Sequence, residues 1–347
     1  MAEPRLIALA TAVPPFPLHQ SEVRVRAASL FGGTNGAFER LLPVFENAEI
    51  DTRYSCVPID WYSESRGWKE RNRLYLENSL DLLEQVTRSC LAQAALTPDA
   101  LDSIVVVSTT GIATPSLDAL LMERLGLRRD VQRLPIFGLG CAGGVLGLAR
   151  AASLARAAPG SRVLFLVVEL CALTFRKDDL SKSNIVATAL FGDGAAGAIL
   201  STGGEGPMLG VSGEHTWPDS LDIMGWNVEE DGLQAIFSRD IPSLVRGKLR
   251  TVTQAFLDRH ELSFSDFGAF VCHPGGAKVL TALEEAFGLP EGTLAEGRRV
   301  LRDYGNMSAA TVFFVLERVL RSGQRHRMLM TALGPGFSVG FQELDNR

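Results

Sequence analysis

An α/β fold built from two copies of one unit is what this sequence predicts, and three observations predict it. Amphipathic helices alternate with short, apolar strands along the chain. The element order of the first half recurs in the second. Four residues recur at one offset of 165: Ser108 maps on His273, Gly140 on Gly305, Cys141 on Asn306 and Arg162 on Arg327. The offset slips to 162 between Gly126 and Gly288, as a difference in loop length produces. Repetition of order and spacing together argues for internal duplication.

The elements follow in order. In "ENSLDLLEQVTRSCLAQAAL" (77–96), Leu83, Val86, Cys90 and Ala94 stand at steps of three and four, one helix face. "SIVVVSTTG" (103–111) is a β-branched run ending in turn residues, hence a buried strand. "CAGGVLGLARAASLA" then reads as a helix opening at Cys141, and "SRVLFLVVEL" as a second buried strand. The later unit repeats them: "GAFVCHPGG" a strand, "NMSAATVFFVLERVL" a helix opening at Asn306, "HRMLMTAL" a strand. The polar, glycine-rich "STGGEGPMLG" (201–210) separates an N-terminal half, 1–205, from a C-terminal half, 206–347.

Ser108 to Cys141 is 33 residues, and so is His273 to Asn306. Each pair joins a strand end to a helix start, so halves packed about a pseudo-twofold axis bring all four positions to one cleft. Cys141 lies in "GLGCAGG" (138–144), where glycines leave room for a thioester and free N–H groups for an oxyanion. A helix N-terminus favours the thiolate by at most about 2 kcal/mol, which from an ordinary thiol leaves it only half ionised. His273 as imidazolium is expected to bring it well below 7. Asn306 offers a neutral amide donor to a developing enolate without the repulsion of a carboxylate. Cys, His and Asn thus suit carbon–carbon bond formation from thioesters. The papain-like use of the same residue types for peptide hydrolysis lacks its local cysteine signature here. Cys56, Cys90, Cys171 and Cys272 read as core packing.

Bulk properties exclude other classes. A net charge of −6 is not the basic footprint of a nucleic-acid binder. The most apolar run, "VLFLVVELCALTF", contains Glu169 and is too short to span a bilayer, and the N-terminus "MAEPRLIALATAVPPF" does not read as a signal peptide. Five cysteines without a CxxC pair point to a reducing cytoplasm, and no histidine has metal-ligand spacing with another His or Cys.

At these residues the chain resembles the type III polyketide synthases, the chalcone-synthase-like branch of the thiolase superfamily. The resemblance runs nearly end to end. It rests on "GCAGG" at Cys141, "FGDGAAGAIL" from Phe191, "HPGG" from His273, "GNMSAAT" at Asn306 and "GPGF" from Gly334 through Pro335 and Gly336. Ketoacyl synthase III enzymes, which perform one condensation on acyl carrier protein, share the Cys-His-Asn logic and are the alternative. The resemblance implies a five-layered αβαβα fold with two mixed sheets, a homodimer, and no metal or prosthetic group. Substrates would be acyl-CoA and malonyl-CoA: Cys141 takes the starter, and His273 and Asn306 promote decarboxylation. It also implies that Phe191 gates the coenzyme A tunnel, with a core aromatic as the plain alternative. Thr174 and Ser308 match cavity-lining positions. Thr109 matches the cavity wall and Thr114 the loop reaching the partner's site, or both are turn residues.

The chain departs from the plant enzymes at two positions. Trp226 stands where chalcone synthases have glycine, and Ala235 where they have a second gating phenylalanine, with Phe237 two residues on. Trp226 is therefore expected to wall off part of the cavity. Bacterial relatives often take fatty acyl starters and release alkylpyrones or alkylresorcinols, which is the product class expected here. The basic residues Arg53, Arg66, Lys69, Arg71 and Arg73 read as a solvated face, with coenzyme A phosphates as the other reading.

Overall fold

A computed structural model describes residues 2–32, 38, 40–238 and 240–347. Its strands are β1 (Arg5–Ala12), β2 (Phe16–His19), β3 (Thr52–Ser55), β4 (Ser103–Val107), β5 (Gln132–Ile136), β6 (Val163–Leu170) and β7 (Asp193–Ser201) in the first half. In the second half they are β8 (Met208–Thr216), β9 (Met224–Glu229), β10 (Gly232–Phe237), β11 (Ala269–Cys272), β12 (Arg327–Gly334) and β13 (Ser338–Asp345). Helices α1 (Gln20–Phe31), α2 (Pro43–Asn47), α3 (Trp68–Gln93), α4 (Leu117–Leu125), α5 (Gly143–Ala157) and α6 (Lys182–Leu190) precede the midpoint. After it come α7 (Ile241–Leu244), α8 (Arg250–Arg259), α9 (Ala277–Phe287), α10 (Ala295–Tyr304) and α11 (Thr311–Arg321).

Nine strands form one sheet in the order β11-β12-β13-β8-β1-β7-β6-β4-β5. The duplication is visible in it. The run β4-β6-β7-β1 has one parallel then two antiparallel pairings, and β11-β12-β13-β8 has the same. A single pair, Arg5↔Met208, joins β1 to β8. The two mixed sheets expected are the two halves of this sheet, touching at one edge contact.

Alternation of side chains across the strands builds the layers. Ile104 and Val106 of β4 face the first apolar cluster, with Leu83, Val86 and Cys90 of α3. Val105 and Val107 face the second, with Val145 and Leu148 of α5 and Val312 and Val315 of α11. On β12, Met328 and Met330 face that same middle cluster, while Leu329 and Leu333 face a third containing Leu257 of α8 and Leu280 of α9. Helices outside, two sheet halves and α5 with α11 between them make the five layers. Covered along most of its length, α5 is built largely of small apolar residues, with Arg150 and Arg156 reaching out to Glu214 and Glu3.

Two predicted helices begin later than their motifs. Cys141 lies in a 3-10 turn, Gly140–Ala142, directly ahead of α5, and α11 starts five residues beyond Asn306. The causes are local, since Gly140 has φ +47° and Ser308 φ +48°, left-handed conformations that interrupt a helix. Among the described residues, no helix is long and apolar enough to cross a membrane.

The basic residues divide. Arg66 and Arg73 pair with nearby glutamates on or beside α3. Arg53 and Arg71 are instead buried, and both donate to main-chain carbonyls, Arg53 to Thr188 and Phe191 and Arg71 to Arg66, Leu173 and Phe175. For these two, both the solvated and the phosphate readings fall.

Candidate active site

The turn carrying Cys141 is held by close packing. A Cβ on Gly140 would come within 2.5 Å of Pro335, and one on Gly334 within 2.5 Å of the Leu139 carbonyl. The "GPGF" loop therefore presses directly on the cysteine turn, from behind rather than from the cavity. The Gly140 N–H donates to Thr109 Oγ1 at 3.3 Å, tying the turn to the end of β4. Cys141 Sγ reaches Ser308 Oγ at 3.5 Å.

His273 and Asn306 come from the second repeat. His273 follows β11, and its N–H donates to the Thr331 carbonyl at 2.8 Å, extending the pairing with β12. Asn306 is bridged to Phe191: its N–H donates to Leu190 and its carbonyl accepts from Gly192. Its side chain is oriented at both ends, with Nδ2 donating to the Gly275 carbonyl at 3.3 Å and Oδ1 accepting from Ser308 N–H at 2.8 Å. Cys141, His273 and Asn306 line one cavity of about 400 Å³, which also touches Met224 and Phe237. The 33-residue spacing of the two repeats has its structural outcome here.

The resting charges differ from the sequence expectation. Burial pushes the Cys141 thiol up to about 11, opposed by its hydrogen bond to Ser308. Burial likewise brings His273 down to about 3. Both ring nitrogens of His273 are buried without a hydrogen-bond partner. Desolvation thus works against the expected thiolate–imidazolium pair and favours a neutral thiol beside a neutral imidazole at rest.

Behind Cys141 lies Glu169, fully buried and raised to about 8 chiefly by burial. Its Oε2 accepts from the Thr109 N–H and the Thr110 hydroxyl, while Oε1 has no partner. Its folded pKa lies above the unfolded value near 4.5, so the native state holds the extra proton between those limits. Stability must then fall as pH rises from about 4.5 to about 8. Glu169→Gln, which keeps the neutral shape, is expected to flatten that fall in a pH series of melting temperatures. An unchanged slope would contradict a protonated Glu169.

Other expected residues scatter around the cavity. Phe237 lines it and Ser308 touches the thiol. Phe191 and Thr174 instead line a second, apolar cavity of about 50 Å³ with Leu18, Val23, Ala27 and Phe175. Thr109 is buried behind the cysteine turn, and Thr114 is exposed on a surface loop that lines neither cavity.

Trp226 lines neither cavity, which corrects the expectation that it forms a wall. It backs Phe191, ring centroids 6.0 Å apart, and Phe237 packs on the same ring at 5.4 Å. The register explains the two departures from the plant pattern together, because Trp226 and Ala235 are direct cross-strand partners. Aromatic bulk has moved from one strand of the β9–β10 hairpin to the other on the same face. Trp226→Gly should cost less than the roughly 3–5 kcal/mol of a fully packed tryptophan, since Trp226 is only half-buried. It should also free Phe191 to swing and shift products toward longer starters, read by mass spectrometry. Unchanged products from a folded variant would show that Phe191 needs no backing.

Sequence reading missed Arg40, Lys182 and Lys278, which line the exposed end of the main cavity. The available signal was a lysine in the first turn of two helices, against the dipole.

Convergence of two repeats on one cavity, thiol from one and imidazole and amide from the other, defines a thiolase-like condensing enzyme. Comparison with known proteins narrows the class. Family models described as chalcone and stilbene synthases match residues 61–204 (N-terminal domain) and 209–342 (C-terminal domain). A Bacillus subtilis protein that bears a chalcone synthase name is 39% identical, with 96% of each chain covered. The 1,3,6,8-tetrahydroxynaphthalene synthase of Streptomyces peucetius subsp. caesius is 38% identical over 96% of this chain and 91% of its own. Among solved structures, the 1,3,6,8-tetrahydroxynaphthalene synthase of Streptomyces coelicolor, a bacterial type III polyketide synthase, superposes with a TM-score of 0.94 at 26% identity, covering 99% of both chains. The chain belongs to the chalcone and stilbene synthase family. It is a type III polyketide synthase, an acyl-transferring enzyme, which supersedes the ketoacyl synthase III alternative.

Proposed function

We propose that this enzyme loads an apolar acyl-CoA on Cys141, extends it with malonyl-CoA and cyclises the product to an alkylpyrone or alkylresorcinol. The observation that carries the reading is the shared cavity of Cys141, His273 and Asn306. On loading, the thiol proton passes to the neutral His273 as sulfur attacks the thioester carbonyl. Coenzyme A then leaves as the thiol with that proton. In extension, the bond from malonyl carbon to carboxylate breaks and carbon dioxide departs. His273 and Asn306 donate to the enolate oxygen so formed. The enolate carbon attacks the acyl carbonyl on Cys141, the carbon–sulfur bond breaks, and the thiolate released takes a proton from water to restore the thiol. These steps use side chains and water, with no metal or prosthetic group.

The apolar second cavity beyond Phe191 supports a fatty starter. A homodimer is supported by a groove of about 390 Å³ on the edge strand β5, flanked by exposed Ile112 and Phe137. Five free, buried cysteines suit the cytoplasm. Incubation with malonyl-CoA and acyl-CoAs of increasing chain length, read by mass spectrometry, tests the reading. Chain-length-dependent products with two or more extensions are expected. Tetrahydroxynaphthalene from malonyl-CoA alone would overturn the apolar starter, and a single extension would overturn iteration.

A further inference from the structure

The sulfur of Cys141 has one side-chain hydrogen-bond partner among the described residues, and it is not His273. Sγ lies 3.5 Å from Ser308 Oγ, while both ring nitrogens of His273 have no partner. Ser308 is 5% exposed and lines neither cavity, so its hydroxyl serves the sulfur rather than the substrate space. That hydroxyl has no other partner among the described residues. At rest the thiol donates to it, which leaves the serine's own proton free to be donated. Burial, and after it Glu169, oppose a negative charge on this sulfur, whereas Ser308 and the cysteine's own main-chain N–H favour one.

The backbone supplies a second, independent observation. Among the described residues five other than glycine have a positive φ, and four of them, Glu49, Ala95, Asp219 and Glu261, are exposed. Ser308, at φ +48°, is the buried one. A side chain in this left-handed region is crowded against its own main chain, and glycine is the residue that adopts it freely. In the cysteine turn the left-handed position, at φ +47°, is indeed a glycine, Gly140. The conformation of Ser308 is clamped from both sides: its N–H donates to Asn306 Oδ1 at 2.8 Å, and its carbonyl accepts from Thr311 Oγ1 at 2.9 Å. Serine therefore stands where glycine would relax the chain. What it adds to glycine is a hydroxymethyl group against the thiol, and buried strain of this kind points to function.

We propose that Ser308 is a further catalytic residue, whose hydroxyl donates to the Cys141 sulfur whenever that sulfur carries negative charge. The inference rests on the reading of Cys141 as the nucleophile. On loading, the thiol proton goes to His273 and the Ser308 hydroxyl turns from acceptor to donor, holding the sulfur as it attacks the thioester carbonyl. On extension, the new carbon–carbon bond forms, the carbon–sulfur bond breaks and its electron pair stays on sulfur. Ser308 donates to that leaving sulfur until water protonates it. The serine keeps its own proton throughout. Its strained, clamped backbone keeps the hydroxyl in place, so neither step waits for it to be positioned.

Ser308→Ala and Ser308→Gly both remove the hydroxyl and differ in strain. Alanine keeps a crowded left-handed residue and glycine relieves it, so Ser308→Gly should melt no lower than Ser308→Ala. In both variants, alkylation of Cys141 by iodoacetamide at pH 8, read by intact-protein mass spectrometry, should slow by on the order of tenfold, the scale of a hydrogen bond to a charged group. Single-turnover loading by a starter acyl-CoA should slow by a similar factor and extension with it, while KM for the acyl-CoA stays within about twofold. That joint loss differs from the loss expected of Asn306→Ala, which spares loading. Wild-type rates of alkylation and loading in both variants would overturn the proposal. Rates lost in Ser308→Ala and restored in Ser308→Gly would overturn it as well, because they would trace to the backbone and not to the hydroxyl. Alkylation needs no thioester, so it reads the sulfur whatever the product. Absence of polyketide from wild-type enzyme with any thioester would instead overturn the functional reading.

Discussion

Cys141→Ala is expected to take up no acyl group when mixed with a starter acyl-CoA, while wild type gains one adduct by intact-protein mass spectrometry. All five cysteines are free and buried, so exposure does not distinguish them. Position does. Cys141 alone among them lines the cavity that holds His273 and Asn306. Burial pushes all five thiols up, so their acidity does not separate them. Alanine keeps the Cβ and forfeits the contact with Ser308, so the fold should lose only about 1 kcal/mol. An adduct that persists in the variant, on Cys171 for instance, would end the assignment. The neutral resting pair adds a pH signature. Alkylation of Cys141 by iodoacetamide should climb roughly tenfold per pH unit from about 7 to 10, because the thiolate fraction grows that way below its pKa. A rate already flat at pH 7 would mean that a thiolate–imidazolium pair exists at rest.

What the sequence reveals and what it hides have physical causes. Buried strands such as 103–107 and 163–170 are legible because a strand covered on both faces must be apolar throughout. The convergence of Cys141, His273 and Asn306 is legible because one fold repeated at one offset places equivalent residues at equivalent strand and helix ends. Burial of single charges is not legible. Arg53 and Arg71 carry the same local pattern as their solvated neighbours, and only tertiary packing turns them onto main-chain carbonyls. The sign of the pKa shifts was lost for the same reason, since desolvation of Cys141 and His273 depends on what covers them. Trp226 and Ala235 read as two departures until the hairpin register pairs them. Lys182 and Lys278, nearly a hundred residues apart, meet only because α6 and α9 start at one cavity mouth.

Asn306→Ala is expected to load the starter at a near wild-type rate and to lose extension by about 10²–10³, the scale for removing one oxyanion donor. The geometry separates the two steps. Loading needs the thiol and a proton acceptor, and Asn306 is neither. Extension needs a donor where the enolate oxygen forms, and Nδ2 at rest donates only to the Gly275 carbonyl at 3.3 Å, a long bond that an anionic oxygen would displace. Folding should survive, because the main-chain pairing of Asn306 with Leu190 and Gly192 does not involve its side chain. The truncation does strand the buried Ser308 N–H, now held by Oδ1 at 2.8 Å, at about 1–3 kcal/mol. Asn306→Asp controls for that loss: it keeps an acceptor for Ser308 and places a carboxylate against the growing negative charge. It should melt above the alanine variant yet extend no better. Single-turnover acylation followed by malonyl-CoA addition separates the steps. Wild-type extension by Asn306→Ala would refute enolate stabilisation by this residue. Loss of loading and extension together, in both variants, would make Asn306 a scaffold for Ser308 and the cysteine turn instead.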